Sequence, residues 1–367
     1  MLIILSVVLY NFGKKHFSKM TGIAMSLGIS ANMLFHTNSV VVTPDVPLAF
    51  FSIMAIVYYF KAYFIHERYF YIGGIFLGVA ILSKVSALFT ALGIILFPIV
   101  NSRKRHFLIN VRFYASLIIA LILFMPFIIW NLQNDLAFVR YQGAHIMERG
   151  DWSDFTSLWA GLFLTAGPIL FYYSVIKPFF FIKRMKSIKV EIQYFIFVTI
   201  IPLCYFLFHS FFSHMEVNWP APIFYGGIFL FGISVGKSWP VLRKQFLFQV
   251  IFSVVLIMTI TIQTFFPFLP IKGKTDVKCL AYFPEYCRCS KHFISFPYLK
   301  MQLWTKYVSG TSNAGNCLPF FHLITPAHSQ DFVMCICGNP SVTMFYQQQI
   351  AKAAQFVSRI SHNTRAR

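Results

Sequence analysis

Long apolar runs separated by short basic clusters constrain this chain more than any other feature of its sequence. Most runs between residues 1 and 266 have the length, about 20 residues, that an α-helix needs to cross a bilayer core. Inside a bilayer each backbone polar group needs a partner within the protein, which favours helices. With 57% hydrophobic and 11% charged residues, the chain has too little polar surface for a water-soluble protein. The sequence therefore predicts an all-α polytopic membrane protein.

The net charge of +20 is distributed in short loops between the apolar runs. The basic loops are Gly13–Lys19, His66–Tyr69 with Lys61 just before it, Asn101–Arg112, Lys177–Lys189 and Lys237–Lys244. Alternating passes put all of them on one side, as the positive-inside rule requires. The other side, which we call outer, receives the turn at Asp45, the loop after Trp130 and the turn Ser213–Trp219. The sequence contains no basic soluble domain, so a nucleic-acid-binding function is excluded.

The turn at Asp45 places one carboxylate between two apolar runs, in the stretch HTNSVVVTPDVPLAFF from His36 to Phe51. A carboxylate at the edge of a bilayer is costly unless it faces water or a partner, which makes it a functional candidate. Thr43 and Asp45 could instead cap the next helix, with Pro47 in its first turn. The two interpretations do not exclude each other.

The run Tyr71–Val100 contains a single charge, Lys84. It is too long for one untilted pass, and one pass would put two consecutive basic loops on opposite sides. We therefore expect two short helices broken near Leu82–Lys84, with Lys84 toward the outer side. The other runs are expected to span as single helices: Met20–Val42, Pro47–Ile65, Phe113–Trp130, Phe155–Ile176, Ile192–Phe212, Pro220–Val235 and Phe246–Phe266.

The composition changes after Lys274, which predicts a transmembrane domain at residues 1–272 and an atypical tail at 273–367. Six of the seven cysteines lie between Cys279 and Cys337, with C-x-C spacings that fit no zinc site. The tail shows no clear periodicity. It is either a disulfide-stapled outer domain or a segment outside the fold, disordered or translated in a shifted frame.

Four motifs carry a resemblance to a known family. They are the Asp45 turn (TPDVPL), Gly78–Ala87 (GVAILSKVSA), Pro126–Asn131 (PFIIWN) and His214–Pro222 (HMEVNWPAP). Over roughly residues 1–270, they resemble bacterial membrane glycosyltransferases of the protein-mannosyltransferase and aminoarabinose-transferase type. The resemblance implies a GT-C-like bundle of about nine or ten transmembrane segments.

The resemblance implies transfer of a sugar, with inversion, from a polyprenyl-phosphate donor to a lipid, glycan or protein acceptor. The active face would be the periplasmic face of the bacterial inner membrane. Asp45 would position the acceptor or a basic partner, with proton transfer as a second role. Lys84 would contact the phosphate or else snorkel to the interface. His214, Glu216 and Asn218 would orient sugar or phosphate or else anchor their turn.

Asn131, beside Trp130, is a weaker substrate-binding candidate and also fits an interface anchor at a helix end. No cofactor or metal ligand set is indicated, and the resemblance leaves a divalent metal open. In the family the catalytic base lies in the first outer loop, and this chain begins beyond that loop, so we expect it to be inactive. The alternatives are a lipid-carrier or small-molecule transporter, which predicts an internal repeat, and a non-catalytic membrane protein.

Overall fold

The computed structural model describes residues 1–40, 43–147, 150–265, 289–296, 299–306 and 320–324. The chain divides into two compact units, Met1–Ile262 and Gln263–Arg367. The first unit is helical, as the sequence predicts. The helices are α1 (Leu2–His16), α2 (Lys19–Ser30), α3 (Met33–Val40), α4 (Asp45–Phe64), α5 (Tyr69–Ser83), α6 (Ala87–Val100), α7 (Val111–Gln133), α8 (Ala137–Met147), α9 (Trp152–Ala166), α10 (Pro168–Phe171), α11 (Lys177–Lys183), α12 (Val190–His209), α13 (Pro222–Lys237) and α14 (Trp239–Phe265).

Within the described residues, four helices, α4, α7, α12 and α14, are long and apolar enough to cross a membrane. The number is six if each of two bent helix pairs counts as one span. This is fewer than nine or ten because several apolar runs are divided into helices of 15 residues or fewer, among them α2, α3, α5 and α6.

The predicted break in the run Tyr71–Val100 is confirmed. Helix α5 ends at Ser83, Lys84 is extended, and α6 begins at Ala87. Because α4 and α5 pack antiparallel, the break lies beside the start of α4. Two other runs were predicted as single helices, and those predictions are wrong. Met20–Val42 is interrupted at Ala31–Asn32, and Phe155–Ile176 is interrupted at Gly167.

The interruption at Gly167 has a local cause. Gly167 has φ +82°, which favours glycine, and Pro168 follows it without a backbone N–H. The two helical segments on either side are bent by 117°. Three amide groups around this bend find partners in Gln249 of α14, whose side chain also bonds Ser253. The carbonyl of Ala166 additionally accepts a bond from Asn32, so the two interrupted runs meet.

The two ends of α4 define two ends of the helical unit. At its carboxyl end, which we call the basic end, Lys104 donates to the carbonyl of Tyr63 at 2.6 Å and Arg112 pairs with Glu67 at 2.6 Å. The Asn110 side chain, then Arg112, lowers the pKa of the exposed Glu67 carboxyl. Helix α4 has 20 residues, so its amino end, the Asp45 end, lies about 30 Å away.

Aromatic rings and small residues hold the helices together. The buried rings of Phe12, Phe60, Phe195 and Phe229 join α1, α4, α12 and α13, with Phe195 stacked on Phe229 at 4.5 Å. Gly74 lets α5 touch α7, since a Cβ there would lie 2.8 Å from the Cα of Ser116. Such close contact is typical of membrane helices, which gain little from apolar burial alone.

The second unit contains a three-stranded antiparallel sheet in the order β1 (Cys289–Phe296), β2 (Leu299–Lys306) and β3 (Phe320–Ile324). The expectation of a tail without periodicity is wrong for β2, where Leu299, Met301 and Leu303 alternate with Lys300 and Gln302. Five of the six tail cysteines lie outside the described residues, so the disulfide interpretation stays a prediction. The boundary at residue 273 also stays a prediction.

Candidate active site

Asp45 opens helix α4 and is almost fully buried, with 3% of its surface exposed. Its Oδ1 accepts from the Lys84 ammonium at 2.6 Å, and its Oδ2 accepts from the Asn218 amide at 3.1 Å. The N-cap position is Pro44, which makes no side-chain cap bond. The carboxylate does not cap the helix, because its oxygens are directed to two other chain segments. Its negative charge still lies in the first turn, where the helix dipole favours it.

Lys84 lies in the break between α5 and α6 because that segment is extended, with φ −160° and ψ 132°. The side chain reaches Asp45 and remains 30% exposed, whereas the Asp45 side chain is 4% exposed. Ser86 is at the N-cap of α6 but makes no cap bond, and its buried hydroxyl has no partner among the described residues. The break therefore presents a partly accessible cation and an unused hydroxyl at the start of a helix.

Asn218 comes from the turn between α12 and α13. Its amide completes the arrangement that we call the Asp45 cluster: Asp45, Lys84 and Asn218. Lys84 and Asn218 lie 39 and 173 positions after Asp45 in the sequence, and both bond to its carboxylate. The sequence singled out all three as candidates from separate motifs, and the structure brings them together. A buried carboxylate with one cation and one amide donor is electrically compensated, and the side chain of its cationic partner remains 30% exposed.

His214 lies in the same turn but has a different partner. Its Nδ1 is 2.7 Å from Oδ1 of Asp154, at the start of α9. Asp154 also forms a capping box with Asp151. The backbone N–H of Gly150 donates to the carbonyl of Phe212, which fixes the α8–α9 connection to this turn. His214 therefore secures the turn that carries Asn218, and Asp154, which the sequence analysis did not single out, is its anchor.

Glu216 and Asn131 lie outside the Asp45 cluster. The Glu216 side chain is exposed and has no hydrogen-bond partner in the described part of the chain. Asn131 is buried, and its Oδ1 accepts from the backbone of Phe138 at 3.0 Å, while its carbonyl accepts from Leu136. Asn131 therefore shapes the connection from α7 to α8, as a residue at a helix end does.

Two buried hydroxyls lie near the starts of α4 and α13. Thr43 was a predicted helix cap, which the structure does not bear out, and Tyr225 was not a candidate from the sequence. Tyr225 in the first turn of α13 is fully buried, and its hydroxyl has no partner among the described side chains and backbone. The hydroxyl of Thr43, two residues before Asp45, is likewise unpartnered within the described residues. Tyr225 follows the HMEVNWPAP motif by three residues, so extending that motif by one helical turn would have included it.

An apolar recess lies beside the cluster, between the start of α1 and the first turn of α4. It is lined by Leu2, Leu5, Phe35, Val46, Ala49 and Phe50. Val46 directly follows Asp45, so the recess and the carboxylate share one helical turn. The described residues contain no group of three His, Cys, Asp or Glu side chains placed to hold a metal ion.

Comparison with known proteins adds one finding. Residues 1–130 match the family of dolichyl-phosphate-mannose-protein mannosyltransferases. No curated protein and no solved structure matches the chain. The matched region contains Asp45 and Lys84 and ends before Asn131, His214, Glu216 and Asn218. The match and the apolar helices together support a multi-pass membrane protein, and the first third of the chain is similar to a family of membrane glycosyltransferases.

Proposed function

We propose that this protein is a glycosyltransferase that uses a polyprenyl-phosphate sugar donor at the Asp45 end of its helical unit. The observation that carries the proposal is the Asp45 cluster, a buried carboxylate that holds a partly exposed lysine at a helix break. The similarity of residues 1–130 to mannosyltransferases, which includes both members of the ion pair, supports the same reaction class.

Lys84 is suited to the phosphate of the donor. Its side chain is 30% exposed, and it lies two residues before Ser86, whose hydroxyl has no partner among the described residues, at the start of α6. A helix start favours anions because its backbone N–H groups and dipole are directed at the ligand. The first prenyl units would lie against the apolar side chains that line the recess next to Val46. Phosphate and lipid would thus be bound by adjacent parts of one site.

In the proposed reaction, the acceptor oxygen forms a bond to the anomeric carbon of the sugar. The bond from that carbon to the phosphate oxygen breaks, and the phosphate leaves with the electron pair. Lys84 stabilises the negative charge that develops on the phosphate. The acceptor's proton passes to a general base. Glu216, two residues before Asn218, is a carboxylate without a hydrogen-bond partner in the described part of the chain, and we assign it this role in place of the first-outer-loop base that the resemblance implies. This assignment replaces the expectation of an inactive chain. Asp45 positions Lys84 at the helix break.

The outer-face, inner-membrane location belongs to the same proposal. Its support is the segregation of basic loops at the end opposite Asp45, as the positive-inside rule requires of a cytoplasmic end. The acceptor is a lipid, glycan or protein at that surface.

The test measures both binding of polyprenyl phosphate by native mass spectrometry and sugar transfer in proteoliposomes. Lys84→Met should weaken binding about 10- to 100-fold, since hydrogen bonds to charged groups contribute about 1.5–3 kcal/mol. Asp45→Asn should lower transfer because it removes the charge that positions Lys84. The matched control is Glu67→Gln, the same chemical change at the basic end, which should alter neither quantity.

Binding by Lys84→Met that equals the original protein would overturn the phosphate assignment. Movement of the donor across the bilayer without sugar transfer would instead favour a lipid-carrier transporter, for which interrupted helices are also typical.

A further inference from the structure

The ion pair between Lys84 and Asp45 creates a difficulty for phosphate binding. The Asp45 side chain is 4% exposed and is compensated mainly by the Lys84 ammonium at 2.6 Å. If that ammonium turns toward a phosphate, a buried carboxylate loses its only charged partner among the described residues. An uncompensated buried charge is strongly destabilising, so binding needs another donor to take the place of Lys84. Asn218 already bonds Oδ2 and cannot replace the bond at Oδ1.

Tyr225 has the properties of that donor. Its side chain is completely buried, and its hydroxyl makes no hydrogen bond to a described residue. Burying an unpaired hydroxyl costs free energy, so a native protein retains such a group for a structural or functional reason. The ring of Tyr225 lies 6.1 Å from the ring of Phe35, which lines the recess beside Val46, and Tyr225 follows Asn218 by seven residues in the segment that already reaches Asp45. A carboxylate accepts about four hydrogen bonds, and Asp45 accepts two from described residues.

We infer that Tyr225 is a positioning residue whose hydroxyl donates to Asp45 when Lys84 engages the anionic ligand. This inference rests on the proposed function and deepens it, because it describes how one site changes between its free and its phosphate-bound forms. In the free form Lys84 neutralises Asp45, and the Tyr225 hydroxyl does not donate to the carboxylate. In the bound form Lys84 meets the phosphate and Tyr225, with Asn218, holds the carboxylate.

Removing the hydroxyl separates this role from a structural one. Tyr225→Phe deletes a hydroxyl that makes no hydrogen bond to a described residue, so the thermal stability of the free protein should stay the same or rise. Its affinity for polyprenyl phosphate should nevertheless fall about 10- to 100-fold, the value of one hydrogen bond to a charged group. The matched control is Tyr194→Phe. The Tyr194 hydroxyl is equally buried but donates to the carbonyl of Ile56, so this variant should lose stability and keep its affinity.

A second substitution tests the mechanism itself. In an Asp45→Asn background there is no buried charge to compensate, so adding Tyr225→Phe should change the affinity less than twofold. Affinity of Tyr225→Phe equal to the original protein, while Lys84→Met loses binding, would overturn this inference and leave the proposed function standing. An equal loss of affinity on adding Tyr225→Phe in both backgrounds would also overturn it. Unchanged binding by Lys84→Met would refute the proposed function instead.

Discussion

At the scale of single residues, the difference between Asp45 and Glu67 shows how burial determines what an ion pair does. Both carboxylates pair with a cation at 2.6 Å. The side chains of Arg112 and Glu67 are 46% and 36% exposed, and an exposed pair typically contributes under about 1 kcal/mol. The Asp45 side chain is 4% exposed, so removing its partner leaves an uncompensated charge in a medium of low dielectric constant.

The first prediction follows from that contrast. Lys84→Met should destabilise the protein by about 3–5 kcal/mol, the typical cost of breaking a buried pair on one side. The double variant Lys84→Met with Asp45→Asn should recover most of this loss because the buried charge is gone. Arg112→Met should cost less than about 1 kcal/mol. Reversible unfolding in mixed detergent micelles measures all three, and a double variant no more stable than Lys84→Met would contradict the explanation.

The sequence indicated Asp45, Lys84 and Asn218 because each is a polar residue in an apolar context. It did not indicate their mutual contacts, since those depend on how α4, α5 and α13 pack. For Asn131, by contrast, the sequence alone did not decide between two roles. Its motif suggested a substrate contact or a helix end, and only the bond from Phe138 shows a local structural role. Tyr225 is an aromatic residue in an aromatic-rich chain, so nothing in its immediate sequence distinguishes it.

At the scale of elements, interrupted helices are the main difference between expectation and structure. The break at Lys84 was predictable because the run was too long and both flanking loops are basic. The breaks at Asn32 and Gly167 lie in runs of ordinary length, so neither the length nor the charge of these runs predicts a helix break. At Gly167 the backbone groups are satisfied by the distant side chains of Gln249 and Asn32, and such tertiary compensation is not visible in a local pattern.

The second prediction concerns this compensation. Gln249 is buried and accepts from the backbone N–H groups of Ile169 and Leu170 while donating to the carbonyl of Ala166. Gln249→Leu would leave these groups unpaired, although Asn32 still serves the Ala166 carbonyl. We expect a loss of about 2–6 kcal/mol, since each buried unsatisfied group costs about 1–3 kcal/mol. The thermal unfolding midpoint of the purified protein measures it.

The control for that substitution lies one turn away on the same helix. Gln245 is exposed, so Gln245→Leu makes the same chemical change without removing a described contact and should leave the midpoint nearly unchanged. Equal midpoints for the Gln249 and Gln245 variants would show that the bend at Gly167 does not depend on Gln249.

At the scale of the whole molecule, the sorting of charge made the architecture predictable. Apolar length and basic loops placed the polar turns of Asp45, Lys84 and Asn218 on one side before any contact was known. The structure joins these turns by hydrogen bonds and gathers Lys104, Arg112 and Glu67 at the opposite end of α4. Composition identified residues 273–367 as different but did not predict a sheet, although Leu299, Met301 and Leu303 alternate with Lys300 and Gln302 as in a strand.

The last prediction tests which end faces outward. Ser153, beside the His214–Asp154 pair, and Ser187, in the basic connection before α12, are both exposed serines. In a version with its seven native cysteines replaced by serine, Ser153→Cys should react in intact cells with a thiol reagent that cannot cross membranes. Ser187→Cys should react only after the membrane is permeabilised. This pattern follows because a loop with Lys183, Arg184, Lys186 and Lys189 is retained on the cytoplasmic side. Labelling of Ser187→Cys from outside, with Ser153→Cys protected, would place the Asp45 cluster on the cytoplasmic face and remove the basis for transfer at the outer surface.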